Sequence, residues 1–364
     1  MSEDFMDVRR LLAPIDPMAP ETFAGAATDP QARATLRRIL AAAPAEASKP
    51  KRQLSRRSVL AMAGGAVAAT SIVGVTRMIP AGEPAARVPT VAMLSYQQVK
   101  GESLMAGSMP SARSILLKVA EAAERQQDGV RPTDTRYVYL QINEWNLNVA
   151  VSDGQASTAV VPTVTELWTP ISATDMVRRV ERPGRPIVIG YGSEWTAGAV
   201  ASGTSGSDEL MSVEAALLSR SPEDLPLDAT ALRRALLPAA RVPDDVPEVY
   251  QLVEAVVGLF SERYVPPRLS AVLWRMLADE PHLGFLGDTT DRAGRAGRAI
   301  ALDVSRGLPK RLVLIIDPET GRLNSSEVIL TKDAGRLNVS IPAVIGYKLF
   351  LRQGWVPDSR TAVR

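Results

Sequence analysis

The sequence predicts an α+β protein: an antiparallel curved sheet with packed helices, carried behind one N-terminal transmembrane helix. Three observations predict it. Ser58–Thr76 is a run of 19 residues without a charge. Two stretches, 137–189 and 283–351, hold short β-branched and aromatic segments separated by turn residues. Before and between them, apolar residues recur at helical spacing. Strands in runs and helices in runs favour α+β over a doubly wound fold.

The first section, residues 1–57, reads as a basic cytoplasmic arm. Asp29 followed by Pro30 opens a short helix, an N-cap and then a proline at the first helical position. Ala32, Leu36, Ile39, Leu40 and Ala43 share its apolar face, and Pro44 ends it. One small amphipathic helix buries no core alone, so Leu36, Arg37, Ile39 and Leu40 are the candidate contacts for a protein partner. Lys49, Lys51, Arg52, Arg56 and Arg57 follow without an acid among them.

Residues 58–78 read as the membrane anchor. The uncharged run would rise about 28 Å as a helix, close to the hydrocarbon thickness of a bilayer. Its basic residues cluster on the N-terminal side, which places that end in the cytoplasm and the long C-terminal part outside. Ser55–Leu60 also has the form of a twin-arginine export signal, so a cleaved signal stays open beside the anchor. Residues 79–92, with Pro80, Pro84 and Pro89, form a linker, and 93–364 form the exported domain.

Within that domain Ser111 is expected to cap a helix with Ile115, Leu116, Val119, Ala122 and Ala123 inward. Strands follow at Tyr137–Trp145, Asn148–Val151, Ala156–Val161, Val164–Trp168, Met176–Arg182 and Pro186–Ile189. Residues 196–209, rich in Gly, Ser and Thr, read as a loop. Helices are expected at Val213–Ser219, at Ala229–Leu237 after Asp228, at Glu248–Arg263 and at Pro267–Ala278. Strands return near 283–287, 298–304, 311–317, 326–331 and 346–351. Asp317–Gly321 is a turn in which Pro318 presets φ and Gly321 supplies a positive one.

Composition narrows the chemistry. There is no cysteine, which removes disulfides, thiolate metal sites and thiol nucleophiles together. There is one histidine, His282, so a zinc site or a Ser-His-Asp triad has at most one candidate. The net charge of +2 gives no argument for nucleic acid. Seven of the 42 basic residues are lysine, an arginine bias that reflects genome composition more than function. Ser193 lacks the flanking glycines of a nucleophile elbow, which the sequence fills with Tyr191 and Trp195. His282 reads as a helix-end residue, and Asp288 and Asp291 as a polar turn. Trp145, Trp168, Trp195, Trp274 and Trp355 read as core. No catalytic residue, metal site or cofactor is expected.

Tyr264–Ala278, Gly287–Gly297 and Leu314–Gly321, in that order, resemble an actinobacterial family of uncharacterised single-span membrane proteins. Leu225–Leu232 and Glu166–Pro170 match it more loosely. The resemblance implies a cytoplasmic arm, one span and an extracytoplasmic domain. That domain is distantly similar to lipoprotein-carrier and sigma-regulator sensor domains. It implies a signal-relay or anti-sigma-like role with a sigma factor as cytoplasmic partner, although the chain lacks the His-Cys-Cys cluster of zinc-type anti-sigma domains. An envelope carrier of a lipid or other apolar ligand is the alternative, and a twin-arginine-exported protein the second. Membrane lipid meets the chain through the anchor.

Overall fold

The computed structural model describes residues 90–97, 109–129, 131–152, 155–172, 174–184, 206–216, 220–237, 246–305, 307–335, 337 and 339–363. The arm with Leu36, Arg37, Ile39 and Leu40, the expected anchor, Pro186–Ile189, Ser193 and Trp195 lie outside the described residues. Among the described residues no helix is long and apolar enough to cross a membrane.

The elements are α1 (Arg113–Arg125), β1 (Tyr137–Ser152), β2 (Gln155–Pro170), β3 (Val177–Pro183), β4 (Ser207–Met211), α2 (Ala229–Leu236), α3 (Glu248–Glu262), α4 (Pro267–Ala278), β5 (Leu283–Thr290), β6 (Ala296–Val304), β7 (Lys310–Ile316), β8 (Leu323–Leu330) and β9 (Ala343–Val356). The strands form one nine-stranded sheet in the order β4-β3-β2-β1-β9-β8-β7-β6-β5. Every neighbouring pair is antiparallel. Two meanders, β1–β4 and β5–β9, are thus joined where β1 pairs with β9. The α+β class and the antiparallel sheet agree with the sequence.

The helices cover one side of the sheet. Ile142, Ile300, Leu302, Leu314 and Phe350 share a buried cluster with Leu116 of α1, Leu252 and Phe260 of α3, and Leu273 and Trp274 of α4. On the opposite side Trp145, Ala301, Val313, Ile315 and Tyr347 cluster under Val91, Leu94 and Tyr96. This explains the unbroken apolar runs of β6 and β7: a strand buried on both faces has no reason to alternate. Val91 and Ala92, at the end of the expected linker, are therefore already part of a core. Beyond the helices, the C-terminal residues cover the wing of the sheet. Trp168 Nε1 donates to the Thr361 carbonyl at 2.6 Å and Arg178 Nη1 to that of Ser359 at 2.8 Å.

Several local expectations change. β1 and β2 are continuous strands of 16 residues where two pairs of shorter ones were expected. Pro162 does not divide β2, because its carbonyl accepts from Gly184 N on the β3 side. Its missing N–H faces that same side, where the β2–β3 pairing ends at Thr163↔Pro183. Ser111 is not the N-cap of α1; that position is Ala112, without a side-chain cap. The segment is held instead by the outer edge of β5, through Ala112 N to Leu283 O at 2.9 Å and Phe285 N to Pro110 O at 2.8 Å. Residues 213–216 form a turn where a helix was expected, and 207–211 form edge strand β4 where a loop was expected.

Other features hold. Asp228 caps α2, accepting from Ala231 N at 2.8 Å. In the β7–β8 turn Asp317 Oδ1 accepts from Glu319 N and Thr320 N, and Gly321 has φ +64°. Trp145, Trp168 and Trp274 are buried. Asp288 lies within β5, opposite Arg298 of β6, where a polar turn was expected. Asp291 lies in the β5–β6 turn, as expected, but that turn is not a solvated one. Asp291 and Arg292 are both fully buried. Arg292 donates from Nε and Nη2 to Glu327 at 2.7 and 3.1 Å. Its guanidinium lies 5.0 Å from the centre of the Tyr347 ring.

Candidate functional site

A cleft of about 350 Å³ lies at the β5–β6 end of the sheet. Four pieces of chain converge on it, one of them the segment before α1 that carries Met109. The first turn of α3 brings Val249 and Tyr250, the α4–β5 turn brings His282 and Gly284, and the end of β6 brings Leu302 and Asp303. The volume lies in the roughly 300–1,000 Å³ range of small-molecule sites. The walls are mixed: Met109, Leu283 and Val304 are apolar, while Tyr250, His282 and Asp303 offer polar groups.

Each wall has a local cause. Pro247 ends the preceding segment and starts α3, so Val249 turns to the buried side while Tyr250 stays half-buried at the opening. Leu277 and Ala278 close α4 in the core, and the chain turns through Pro281 and His282 before β5 begins. His282 is therefore exposed at the rim. Gly284 is required here, because a Cβ would come within 2.4 Å of the Met109 Cβ.

Charged groups fix the surroundings. Arg233 of α2 pairs with Glu248 at 2.6 Å and with Glu280, tying the end of α2 to the start of α3 and to the α4–β5 turn. Burial works against the Arg233 charge, but the bonds from Glu280 and Glu248 outweigh it and raise its pKa. Arg311 holds Asp303 by two bonds, Nε to Oδ1 at 2.6 Å and Nη2 to Oδ2 at 2.8 Å. Lys310 lies 5.3 Å from the centre of the Tyr250 ring. Asp303 thus enters the cleft with its charge balanced and its geometry fixed.

A catalytic imidazole needs a group that orients it. His282 has no hydrogen-bond or ion-pair partner among the described residues. Among those residues no group of three or more His, Asp or Glu could hold a metal ion.

Behind the cleft, α3 crosses the sheet over a polar seam. Lys348 lies 3.6 Å from Glu144 and 3.4 Å from Ser261 Oγ. Burial raises the pKa of Glu254 on the same helix, against the opposing pull of Lys348 and Lys310.

Of the residues singled out in the sequence, His282 reaches the cleft, whereas Asp288 and Asp291 belong to the opposite end of β5 and Ser193 lies outside the described residues. Tyr250 and Asp303 are not among the candidates that the sequence singles out. The Asp303–Arg311 pair had a readable signal: both sit in the β6–β7 hairpin, and they face each other in its register.

No protein-family model matches the chain, and no curated protein matches it. Among solved structures, a LolA superfamily protein from Nitrosomonas europaea is similar at 9% identity, over 67% of this chain and 92% of that one, with a TM-score of 0.16. At that score the likeness carries no argument, and the functional reading rests on the geometry above.

Proposed function

We propose that this chain is a membrane-tethered binding protein whose outer α+β domain takes a small, partly apolar molecule in the cleft beside His282. One observation carries the reading: a hollow of ligand size, about 350 Å³, is walled by apolar side chains and edged by Tyr250, His282 and a clamped Asp303. The helix-facing side of β6, β7 and β9 is already filled by α3 and α4. That favours a small ligand at the sheet's end over a long chain laid across it.

The tether and the arm complete the proposal. The one-sided cluster of basic residues before Ser58 supports an anchor with the N-terminus inside. Leu36, Arg37, Ile39 and Leu40 are then the inner contact surface for a protein partner, with a sigma factor as the candidate. A carrier of an apolar ligand is the second reading. It draws on α3: lifting that helix would uncover Ile142, Leu314 and Phe350, and its carboxylate Glu254 is held against the sheet at a desolvation cost.

Mass spectrometry of small molecules released from the purified full chain tests the proposal. A compound recovered from the natural chain and lost from Tyr250→Ala, which strips the ring from the opening of the cleft, supports it. A lipid recovered equally from both proteins supports the carrier instead. Recovery of nothing from either, after gentle purification, counts against both. Protease treatment of spheroplasts expressing a doubly tagged chain tests the tether. Digestion of the C-terminal tag alone is expected, and release of a soluble outer domain without the N-terminal tag would remove the relay role.

A further inference from the structure

Residues 357–363, which follow β9, fold back over the wing of the sheet as a strap. Side chains of the sheet hold it by its carbonyls. Arg178 Nη1 donates to Ser359 O at 2.8 Å, Trp168 Nε1 to Thr361 O at 2.6 Å and Arg352 Nη1 to Val363 O at 3.3 Å. Every second carbonyl is taken. Each residue carries such an acceptor, so these bonds read the shape of a backbone and not the identity of its side chains. The strap's own side chains are mostly turned away: Pro357, Asp358, Arg360, Thr361 and Ala362 are exposed. Val363 packs on the apolar cluster beneath, made by Tyr139, Trp168, Val180 and Val356. A segment with so few buried apolar contacts opens at low cost.

Each half of this contact is held in shape by its own bonds. On the sheet, Nε and Nη2 of Arg178 are fixed to Asp208 at 2.9 and 2.6 Å, which leaves Nη1 for the strap. The Arg178 guanidinium lies 5.1 Å from the centre of the Trp168 ring, and the Tyr139 and Trp168 rings pack with centroids 5.1 Å apart. The Tyr139 hydroxyl donates to Glu166 at 2.8 Å. On the strap, Asp358 Oδ1 accepts from Arg360 N and Thr361 N at 2.8 Å each and from Thr361 Oγ1 at 3.1 Å. The strap therefore writes its own turn, and the sheet keeps its donors in place when the strap leaves. Such preorganisation lowers the cost of binding.

We propose that this wing is a peptide-binding groove with residues 357–363 as its built-in, displaceable occupant. The partner is a protein segment with an aspartate turn, Asp-x-x-Thr, and an aliphatic residue two places beyond. Asp358, Thr361 and Val363 set that pattern, because their side chains make the turn and the apolar contact. The strap of a second copy suits the groove less well. Val356, from which the strap departs, belongs to the covered cluster and pairs with Tyr137 in the sheet. A strap rooted there reaches another groove only if two wings meet face to face.

The chain has no cysteine, and a Cβ at Gly354 would lie 4.0 Å from the Val363 Cβ. That separation falls within the roughly 3.5–4.5 Å span of a disulfide. Gly354→Cys with Val363→Cys in the full chain thus gives one protein in two states, with the strap locked when oxidised and free when reduced. The probe is a fluorescein-labelled peptide of residues 357–364, followed by fluorescence polarisation. The reduced protein is expected to bind it saturably and at least about tenfold more tightly than the oxidised one, since binding needs the open state. In the natural chain, Asp358→Ala loosens the strap and is expected to tighten binding of the same peptide, which keeps the test independent of the cysteine pair. The proposal is overturned by equal binding to the oxidised and reduced proteins, or by no binding to the reduced protein once the disulfide has been shown to form. A dimer of the reduced protein that forms without peptide and is lost on oxidation would assign the groove to a second copy, and overturns it too.

Discussion

Replacing Arg292 by methionine removes one half of an ion pair whose two side chains are both 0% exposed. The loss has three parts. The bidentate bonds to Glu327 disappear, the guanidinium no longer covers the Tyr347 ring, and the Glu327 carboxylate stays buried alone. Breaking a buried pair in this way costs about 3–5 kcal/mol. The variant's burial of a carboxylate dominates that figure, so removing both charges should cost far less. Arg292→Met with Glu327→Met is expected to return to within about 1–2 kcal/mol of the natural chain, because matched apolar replacements of buried pairs are often close to neutral. Urea unfolding followed by tryptophan fluorescence measures both. The five tryptophans include Trp145, which stacks on Tyr347 at 6.1 Å and reports this region directly. A single-variant loss under about 1 kcal/mol, below the range for a buried pair, would refute the reasoning. So would a double variant less stable than the single.

Two further perturbations follow from local geometry. Gly321→Ala places a side chain at φ +64°, with its Cβ within 2.5 Å of the Val119 carbonyl and 2.6 Å of the Ala123 Cβ. It is expected to lower stability by more than about 1 kcal/mol in the same urea assay, since the backbone strain and the clash with α1 add. Glu254→Gln tests the seam under α3. Burial raises the Glu254 pKa above its unfolded value of roughly 4.3, so its contribution to stability is fully present below that value and lost as pH rises through the folded pKa. The natural chain should therefore lose stability over that window while Glu254→Gln does not, and unfolding curves that fall in parallel for both would contradict it.

The elements that were legible in the sequence are those whose local chemistry and packing agree. α4 was read to the residue because Pro266 and Pro267 start it and its apolar stripe is the buried stripe. The Asp228 cap and the Asp317–Gly321 turn were legible for the same reason. β4 was not, because an edge strand of Ser, Asp, Glu, Leu and Met has no buried face to advertise. Its place is set from outside, by Arg178 reaching across to Asp208. Ser111 looked like a cap until the β5 edge claimed its segment, a contact made 173 residues further along (Ser111 to Gly284). The buried Arg292 was unreadable because an arginine in a polar turn carries no local sign that a glutamate on β8 awaits it. The cleft was the least legible feature, since its residues come from α3, the α4–β5 turn and β6 and meet only through the strand order.

The chain has one histidine, and it stands at the rim of the cleft. Nuclear magnetic resonance of the chain labelled only at histidine, and purified without a histidine tag, therefore gives a single imidazole signal that reports the cleft. A water-soluble extract of the cell envelope is expected to shift that signal in the natural chain and to leave it unmoved in Tyr250→Ala, which strips the ring from the opening of the cleft. An unmoved signal in the natural chain, with the protein folded and the extract concentrated, would contradict the claim that the cleft is the binding site.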